Sequence, residues 1–494
     1  MANNYKIKID MKIVKSEEEV QERPNKQGTG QYEYIISGER GRSIDEVERA
    51  ILVTNAEALR DGIASHLTEV SKAVVIEAGG TIEDSEVKHY RVDGEVGRFT
   101  FAVHHEKGEE SRLYPILKGQ EWYRTEGFKE IAYVYGTVED SYRQAGQLIN
   151  RVRHQAGATP VRTLHDSSER EGQEVQQHLA EKAKEILAEK GFDPEGHPNA
   201  VTKQALPQRK ELLPAEQVAE AIKGLEVEPE IATEVVNNPV PYENPTQSAN
   251  VSIDDVSVKR QTEERNQPSA EPQQRKYLHQ TVAHIQHGSK TYLLNGFGVV
   301  AVLRLVLAFL LHNELLDYNL IVFFDGHKSL GRAIVRAFAW FKPLQLILDW
   351  YHLKKKCKEL LSLACKGRQV RNDLLAQLMP LLWHGCVDGA IALLQATDLS
   401  TIKNKKALDD LIDYLEYHRA SIPCYAVRKK LGLRNGSNPG EKANDLLVSD
   451  RQKDNGMSWS RLGSVALASL TALVKNNEYK TWFSSQTIAF TFAA

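Results

Sequence analysis

Five consecutive apolar residues, Leu320, Ile321, Val322, Phe323 and Phe324, run straight into Asp325 and Gly326. A run this short, rich in β-branched and aromatic side chains, reads as a strand buried on both faces, in a sheet covered by helices. An acid at the carboxyl end of such a strand stands where open sheets place their ligands. The pattern repeats at once, with Leu344, Gln345, Leu346, Ile347 and Leu348 ending in Asp349. Two strand-end acids in one short stretch make metal-dependent chemistry the hypothesis to test.

The 494 residues suffice for two to four domains with ample core. The net charge of −3 hides an asymmetry. From Glu171 to Asn250 there are 15 acids against 7 bases, whereas from Tyr277 to Ala494 there are 27 bases against 17 acids. The second half is thus fitted to face a polyanion, and the middle reads as an acidic spacer. The four cysteines, Cys357, Cys365, Cys386 and Cys424, form no C-x-x-C pair, which argues against a disulfide framework or a zinc ribbon. The start lacks the apolar stretch of a signal peptide. Val299 to Leu311 is too short to span a bilayer and contains Arg304, so a buried helix is expected there, with no membrane partner. A cytoplasmic location is expected.

Residues 1–130 read as an α+β region of unassigned role. Tyr32 to Ile36 and Arg98 to Val103 alternate as strands do, and Ser43 with Glu46 has the spacing of a capping box opening a helix to Leu52. Residues 131–192 read as helical: Ser141 to Val152, a turn at Gly157, a second helix opening at Thr159 to His165 with Pro160 in its first turn, and a charged helix from Val175 to Lys190. Exposed Arg143, Arg151, Arg153, Arg162 and Arg170 suit a helix-turn-helix facing DNA or an ordinary αα-hairpin with solvated arginines, and both stay open. Ten of the seventeen prolines fall between Pro194 and Pro272, so residues 193–249 read as a Pro-rich acidic linker.

Residues 250–352 then read as strand, hairpin, helix, strand, helix, strand. Asn250 to Lys259 is a strand, Thr262 to Arg275 a polar loop, and Tyr277 to Gln286 with Lys290 to Leu294 a hairpin around His287-Gly288-Ser289. Val299 to Leu311 and Leu330 to Phe341 are the intervening helices. Residues 353–434 read as a helical insertion, and 435–494 as a C-terminal helical part with a tail. This order of elements is that of a ribonuclease-H-like fold.

In such a sheet the first and fourth strands are neighbours. Acids from them can hold two divalent ions, roughly 3.5–4 Å apart in two-metal sites generally. Asp254 or Asp255 would come from the first strand and Asp325 from the fourth. Glu441, after the loop Asn435 to Gly440, is the candidate third acid, and hard oxygen donors suit Mg²⁺ or Mn²⁺. The plainer readings stand beside these. Asp325-Gly326 is also a turn signature, Glu441 a first-turn helix acid, and Asp349 a helix cap. His279, His284 and His287 read as sheet-surface residues. Lys354, Lys355, Lys356 and Lys358 form a basic helix face suited to phosphates. Arg451 and Lys453 add bases near the third acid, and Trp459 an aromatic for stacking on a nucleotide.

Phe324-Asp325-Gly326-His327-Lys328-Ser329-Leu330, then Leu348-Asp349-Trp350-Tyr351-His352-Leu353-Lys354-Lys355-Lys356, then Gly436-Ser437 with Glu441 five residues after the glycine, resemble bacterial insertion-sequence transposases of the Mutator-like group. The likeness covers Val251 to Phe483. It implies an Asp-Asp-Glu enzyme with a ribonuclease-H-like core and a helical insertion before the glutamate. It also implies two Mg²⁺ or Mn²⁺ ions, double-stranded DNA (transposon ends and target) as partner, and homo-oligomers on that DNA in the bacterial nucleoid. By position it makes Asp254, rather than Asp255, the first acid, Asp325 the second and Glu441 the third. Asp349 and His352 become supporting residues. Asn438 and Lys442 depart from the family's glycine and serine at those places. A catalytically inactive DNA-binding remnant and a structure-specific nuclease are the alternatives.

Overall fold

The computed structural model describes residues 44–107, 122–261, 276–453 and 456–493. The strand expected at Tyr32 to Ile36 and the polar loop at Thr262 to Arg275 lie outside them. The protein is mixed α/β and divides into two compact units, Met1–Ser168 with Phe483–Gln486, and Glu169–Trp482 with Thr487–Ala494.

In the first unit, α1 (Ile44–Glu77) runs far past Leu52, where the expected helix ended; its expected cap, Ser43, lies outside the described residues. Its extra length has a reason in the sequence. Ala56, Arg60, Ala64, Leu67, Ser71 and Val75 recur at helical spacing and form the inward stripe. That stripe packs on the hairpin β1 (Glu86–Gly94) and β2 (Gly97–His105), to which β3 (Trp122–Arg124) adds in parallel, giving the order β2-β1-β3. Strand β2 is an edge, and α1 caps its outward amides. Ala102 N donates to Thr68 Oγ1 (3.1 Å) and His104 N to Ser71 Oγ (3.1 Å).

Helices α2 (Glu126–Val138) and α3 (Tyr142–Val152) follow, capped by Thr125 and Ser141. Arg143 and Arg151 are exposed as expected, but Arg153 is not. It is buried, with Nη2 3.2 Å from Asp93 Oδ1, Nη1 donating to Thr159 Oγ1 at 2.7 Å, and its guanidinium over the Phe128 ring. It is a core ion pair, not part of a solvated face. The next two expected helices are one, α4 (Val161–Glu189), which carries the chain into the second unit. Gly172 does not interrupt it. A side chain there would collide with the Ala466 backbone, so the glycine permits a close approach.

The expected Pro-rich linker, 193–249, is folded. It contains α5 (Ala200–Ala205), α6 (Ala215–Lys223) and α7 (Pro229–Val236), and its prolines start helices or punctuate them. Val235, Val240 and Glu243 are buried. Glu243 receives both terminal nitrogens of Arg428 at 2.6 Å each, and Asn319 pairs with the Glu211 backbone in both directions. A spacer would have left these groups in water.

The second sheet holds β4 (Ser248–Lys259), β5 (Tyr277–His287), β6 (Lys290–Gly296), β7 (Asn319–Phe324) and β8 (Leu344–Leu348), in the order β6-β5-β4-β7-β8. The β4/β5 and β5/β6 pairs are antiparallel, and β4/β7 and β7/β8 parallel. All six residues of β7 are buried, as its unbroken apolar run requires. Helices α8 (Val299–His312) and α9 (Lys328–Phe338) connect the strands. Arg304 sits on the exposed side of α8, and among the described residues no helix is long and apolar enough to cross a membrane.

After β8 come α10 (Trp350–Ala364), α11 (Arg368–Trp383), α12 (Val387–Gln395), α13 (Lys405–His418) and α14 (Tyr425–Lys430), with α10 packed on α11 and α13. The chain then returns to the sheet as α15 (Asn438–Asn444), lying on β4 and β5. The expected C-terminal helical part is not one continuous helix. A π turn spans Asp445–Ser449, and a new helix, Arg461–Lys475, starts at its Ser460 cap. In between, Trp459 bridges to Arg260 at the end of β4.

Candidate metal and nucleic-acid site

The parallel register of β4 and β7 ends with Ser252 opposite Phe323. Asp254 and Asp325 each stand two residues further on, so the two acids leave neighbouring strands at the same end. Alternation puts Asp254 and Asp255 on opposite faces. Asp255 accepts from Thr281 Oγ1 (2.5 Å) on the exposed side, whereas Asp254 Oδ2 accepts from Asn444 Nδ2 (2.7 Å) of α15. Asp325 Oδ1 accepts from the His327 amide (2.8 Å). Gly326 follows at φ +82°, where the Tyr414 hydroxyl and Leu348 leave no room for a Cβ. Only glycine suits both the angle and the space.

Glu441 arrives on α15, one turn before Asn444. Two glycines make the approach. A Cβ on Gly440 would stand 2.8 Å from Ser252 Cβ, and one on Gly436 2.7 Å from Asp349 Oδ2. Asp349 caps α10 through the His352 amide (2.8 Å) and accepts from His352 Nδ1 (3.1 Å). Its other oxygen accepts from Ser437 N (2.5 Å) and Ser437 Oγ (3.1 Å). His352 Nε2 then lies 3.8 Å from Glu441 Oε1. One buried carboxylate thus ties the start of the insertion to the loop that ends it.

The charges of these groups reach one another. Burial pushes the Asp254 carboxyl up to about 6; the Asp255 amide opposes this, the Asp325 charge adds to it, and His352 opposes it. The hydrogen bond that His352 donates to Asp349 raises the imidazole above its ordinary value against the effect of burial, and the charges of Asp349, Asp325 and Glu441 add to the rise. Burial favours neutral Asp349, but bonds from His352 and Ser437 outweigh it and hold that carboxyl below the usual range. Among the described residues no three of His, Cys, Asp and Glu stand close enough together to hold a metal ion as they are. The physical reason is visible. Each acid has a partner of its own: Asp254 rests on Asn444, Asp325 on the His327 amide, and Glu441 stands beside His352. The donor chemistry itself, hard carboxylate oxygens partly withdrawn from water, fits Mg²⁺ or Mn²⁺.

Lys354, Lys355 and Lys358 are exposed along α10, and Lys356 is half-buried. Arg162 is exposed in the first unit beside Asp166, and Lys453 is exposed in the second. Arg451 is different. It is buried, with its guanidinium over the ring of Trp459, itself buried, so neither offers a surface to a phosphate or a base. His284 is buried rather than on the sheet surface, and burial together with Arg434 pushes it down to about 4. His279 and His287 keep partial exposure, bonded to Ser257 and to the Ser248 carbonyl. Asn444 and Tyr414 were not singled out in the sequence. Asn444 carried one usable signal, its place three residues after Glu441 on the same helix face.

No family model matches the sequence, and no curated protein matches it. Among solved structures, a similar chain belongs to the Drosophila P element transposase strand transfer complex, at 11% identity and a TM-score of 0.18, covering 66% of this chain and 83% of that one. A likeness this loose carries no argument about fold or activity.

Proposed function

We propose that the chain is a transposase of the Mutator-like, bacterial insertion-sequence kind, with a ribonuclease-H-like core and Asp254, Asp325 and Glu441 as its catalytic acids. What supports this reading is one juxtaposition: Asp254 and Asp325 leave adjacent parallel strands at the same end, and α15, packed on β4, sets Glu441 beside His352. The strand order β6-β5-β4-β7-β8, with a helical insertion before α15, is the arrangement expected of such a core.

In this reading the three acids hold two Mg²⁺ or Mn²⁺ ions. Bound there, the ions would supply a charged clamp for in-line attack on a phosphodiester and lower the pKa of the attacking hydroxyl. The chain's own residues do the rest. Asp349 and His352 aim Glu441, and Lys354, Lys355, Lys356 and Lys358 neutralise the backbone of the bound strand. Helices α3 and α4, joined through Gly157 with Arg162 exposed, are the segment proposed to contact terminal inverted repeats, and Lys453 adds a further phosphate contact. The enzyme would cut at its element's ends and join the freed 3′-hydroxyls to target DNA, working as a homo-oligomer across two ends.

The test is Asp325→Asn in the purified full chain, with labelled duplexes carrying the repeats that flank the gene. Cutting and joining should vanish while end binding persists. Retained cleavage refutes the assignment, and cleavage without joined product turns it into a nuclease. One observation favours a second reading: Asn444 occupies an oxygen of Asp254, and the acids do not converge as they stand. A copy that binds the repeats without cutting them would look so. It predicts that the wild-type protein shifts the duplex and leaves it intact at every Mg²⁺ concentration.

A further inference from the structure

We propose that Arg434 is a positioning residue, a guanidinium that fixes the strand ends bearing Asp254 and Asp325 to the segment that delivers Glu441; this rests on the function put forward above. Arg434 Nη1 donates to Gln286 Oε1 at 2.9 Å on β5, and Nη2 to Ser252 Oγ at 3.2 Å on β4. Its guanidinium carbon stands 4.7 Å from the centre of the Phe323 ring on β7. One side chain therefore meets three adjacent strands. Ser252 precedes Asp254 by two residues, and Phe323 precedes Asp325 by two. Residues two apart share a strand face, so Arg434 grips β4 one step below its acid and braces β7 at the matching place.

The same residue is fixed through its main chain. Its carbonyl accepts from Arg428 Nε (3.0 Å) and Nη2 (2.8 Å), and Arg428 is clamped on buried Glu243. Seven residues later comes Glu441. The arch between them rests on Asp349 through Ser437 and returns to Ser252 through Gly440. Ser252 therefore carries both feet of the arch, Arg434 on its hydroxyl and Gly440 on its Cβ. A shift of Arg434 therefore moves the start of α15, and with it Glu441, relative to the β4 and β7 ends.

The chemistry demands arginine. The hydrogen-bond partners are neutral oxygens, the third contact is a ring face, and burial with nearby Arg428 pushes the guanidinium down to about 10 without discharging it at neutral pH. A planar fork can bond two acceptors and lie on a ring at once, whereas a lysine ammonium is a point charge on a flexible stem.

The experiment uses the full chain as wild type, R434K, S252A, E441Q and R434K/E441Q. It reads Mn²⁺ affinity by calorimetry, cleavage of the labelled repeat duplex, duplex affinity and thermal midpoint. R434K is expected to keep duplex affinity and to lose about a hundredfold in turnover, the scale of a small misplacement of a catalytic group. Its Mn²⁺ affinity should fall, and the double variant should bind Mn²⁺ no more weakly than E441Q. S252A, which removes only an acceptor hydroxyl, should shift both readouts the same way by a smaller factor with an unchanged midpoint, and so decides the matter if R434K is unstable. R434K and S252A that match an active wild type overturn the positioning role alone, as does a double variant much weaker than E441Q. A wild type that neither binds Mn²⁺ nor cuts overturns the underlying function, and the positioning role with it.

Discussion

Replacing Asp254 by asparagine isolates the cost of holding a partly buried carboxylate without its cation. Burial, with Asp325 adding, moves this carboxyl from the usual 3.8 to about 6. That gap corresponds to a ceiling of about 3 kcal/mol between its two protonation states. The folded pKa lies above the unfolded one, so the native state holds the proton more tightly. The group's contribution is favourable below about 3.8, declines as pH rises toward about 6, and above that the folded chain bears the whole cost. Asparagine removes the charge but keeps one acceptor for two donors, since both Asn444 Nδ2 and the Asp255 amide bond this side chain. Losing one of those bonds costs about 1–2 kcal/mol. The difference leaves metal-free D254N more stable than wild type by about 1–2 kcal/mol at pH 8 and less stable by about 1–2 kcal/mol at pH 3.5, where only the lost bond counts. Urea unfolding in chelator at both pH values measures this through the midpoint at constant slope. Adding Mg²⁺ at pH 8 should then stabilise wild type and leave D254N unmoved, because only the carboxylate form gains a ligand. Equal destabilisation of D254N at both pH values refutes the reasoning.

Further outcomes follow from the same geometry. Gly326→Ala must hold φ +82° and press a methyl group on the Tyr414 hydroxyl and Leu348, so it should cost about 2–3 kcal/mol in urea unfolding and lower turnover, with Y414F restoring only part of the stability. Glu243→Ala leaves the buried Arg428 guanidinium without its carboxylate and should destabilise the second unit by about 3–5 kcal/mol, measured by denaturant midpoint. The triple change Lys354→Ala, Lys355→Ala and Lys358→Ala lies on an exposed face, so stability should hold while duplex affinity falls and the salt dependence of its logarithm flattens by about 2–3.

The sheet was readable because β7 is buried on both faces and its apolar run says so without help from distant residues, and β8 repeats the pattern with one face half-buried. Strand β4 was readable from its alternation, and the same alternation separates Asp254 from Asp255 once its partners are known. What stayed hidden depends on partners far along the chain. Arg153 and Arg162 look alike in the sequence, yet Asp93, sixty positions away, draws the first into the core. Arg451 and Trp459 read as a nucleic-acid surface, and they pack on each other out of reach. Residues 193–249 read as a spacer because proline marks both linkers and helix starts, and the deciding contact, Glu243 with Arg428, spans 185 positions. Glu441 was singled out by its place after Gly436, but its tie to Asp349 through Ser437 and His352 belongs to the fold.

The central claim is that Asp254, Asp325 and Glu441 act as one cation-binding pocket. Calorimetric titration of the full chain with Mn²⁺ tests it most directly, run on wild type, D254N, D325N and E441Q at pH 8. The account predicts binding by wild type and loss of at least tenfold in affinity in each variant, about 1.4 kcal/mol or more per acid. An E441Q protein that binds Mn²⁺ as tightly as wild type would contradict it.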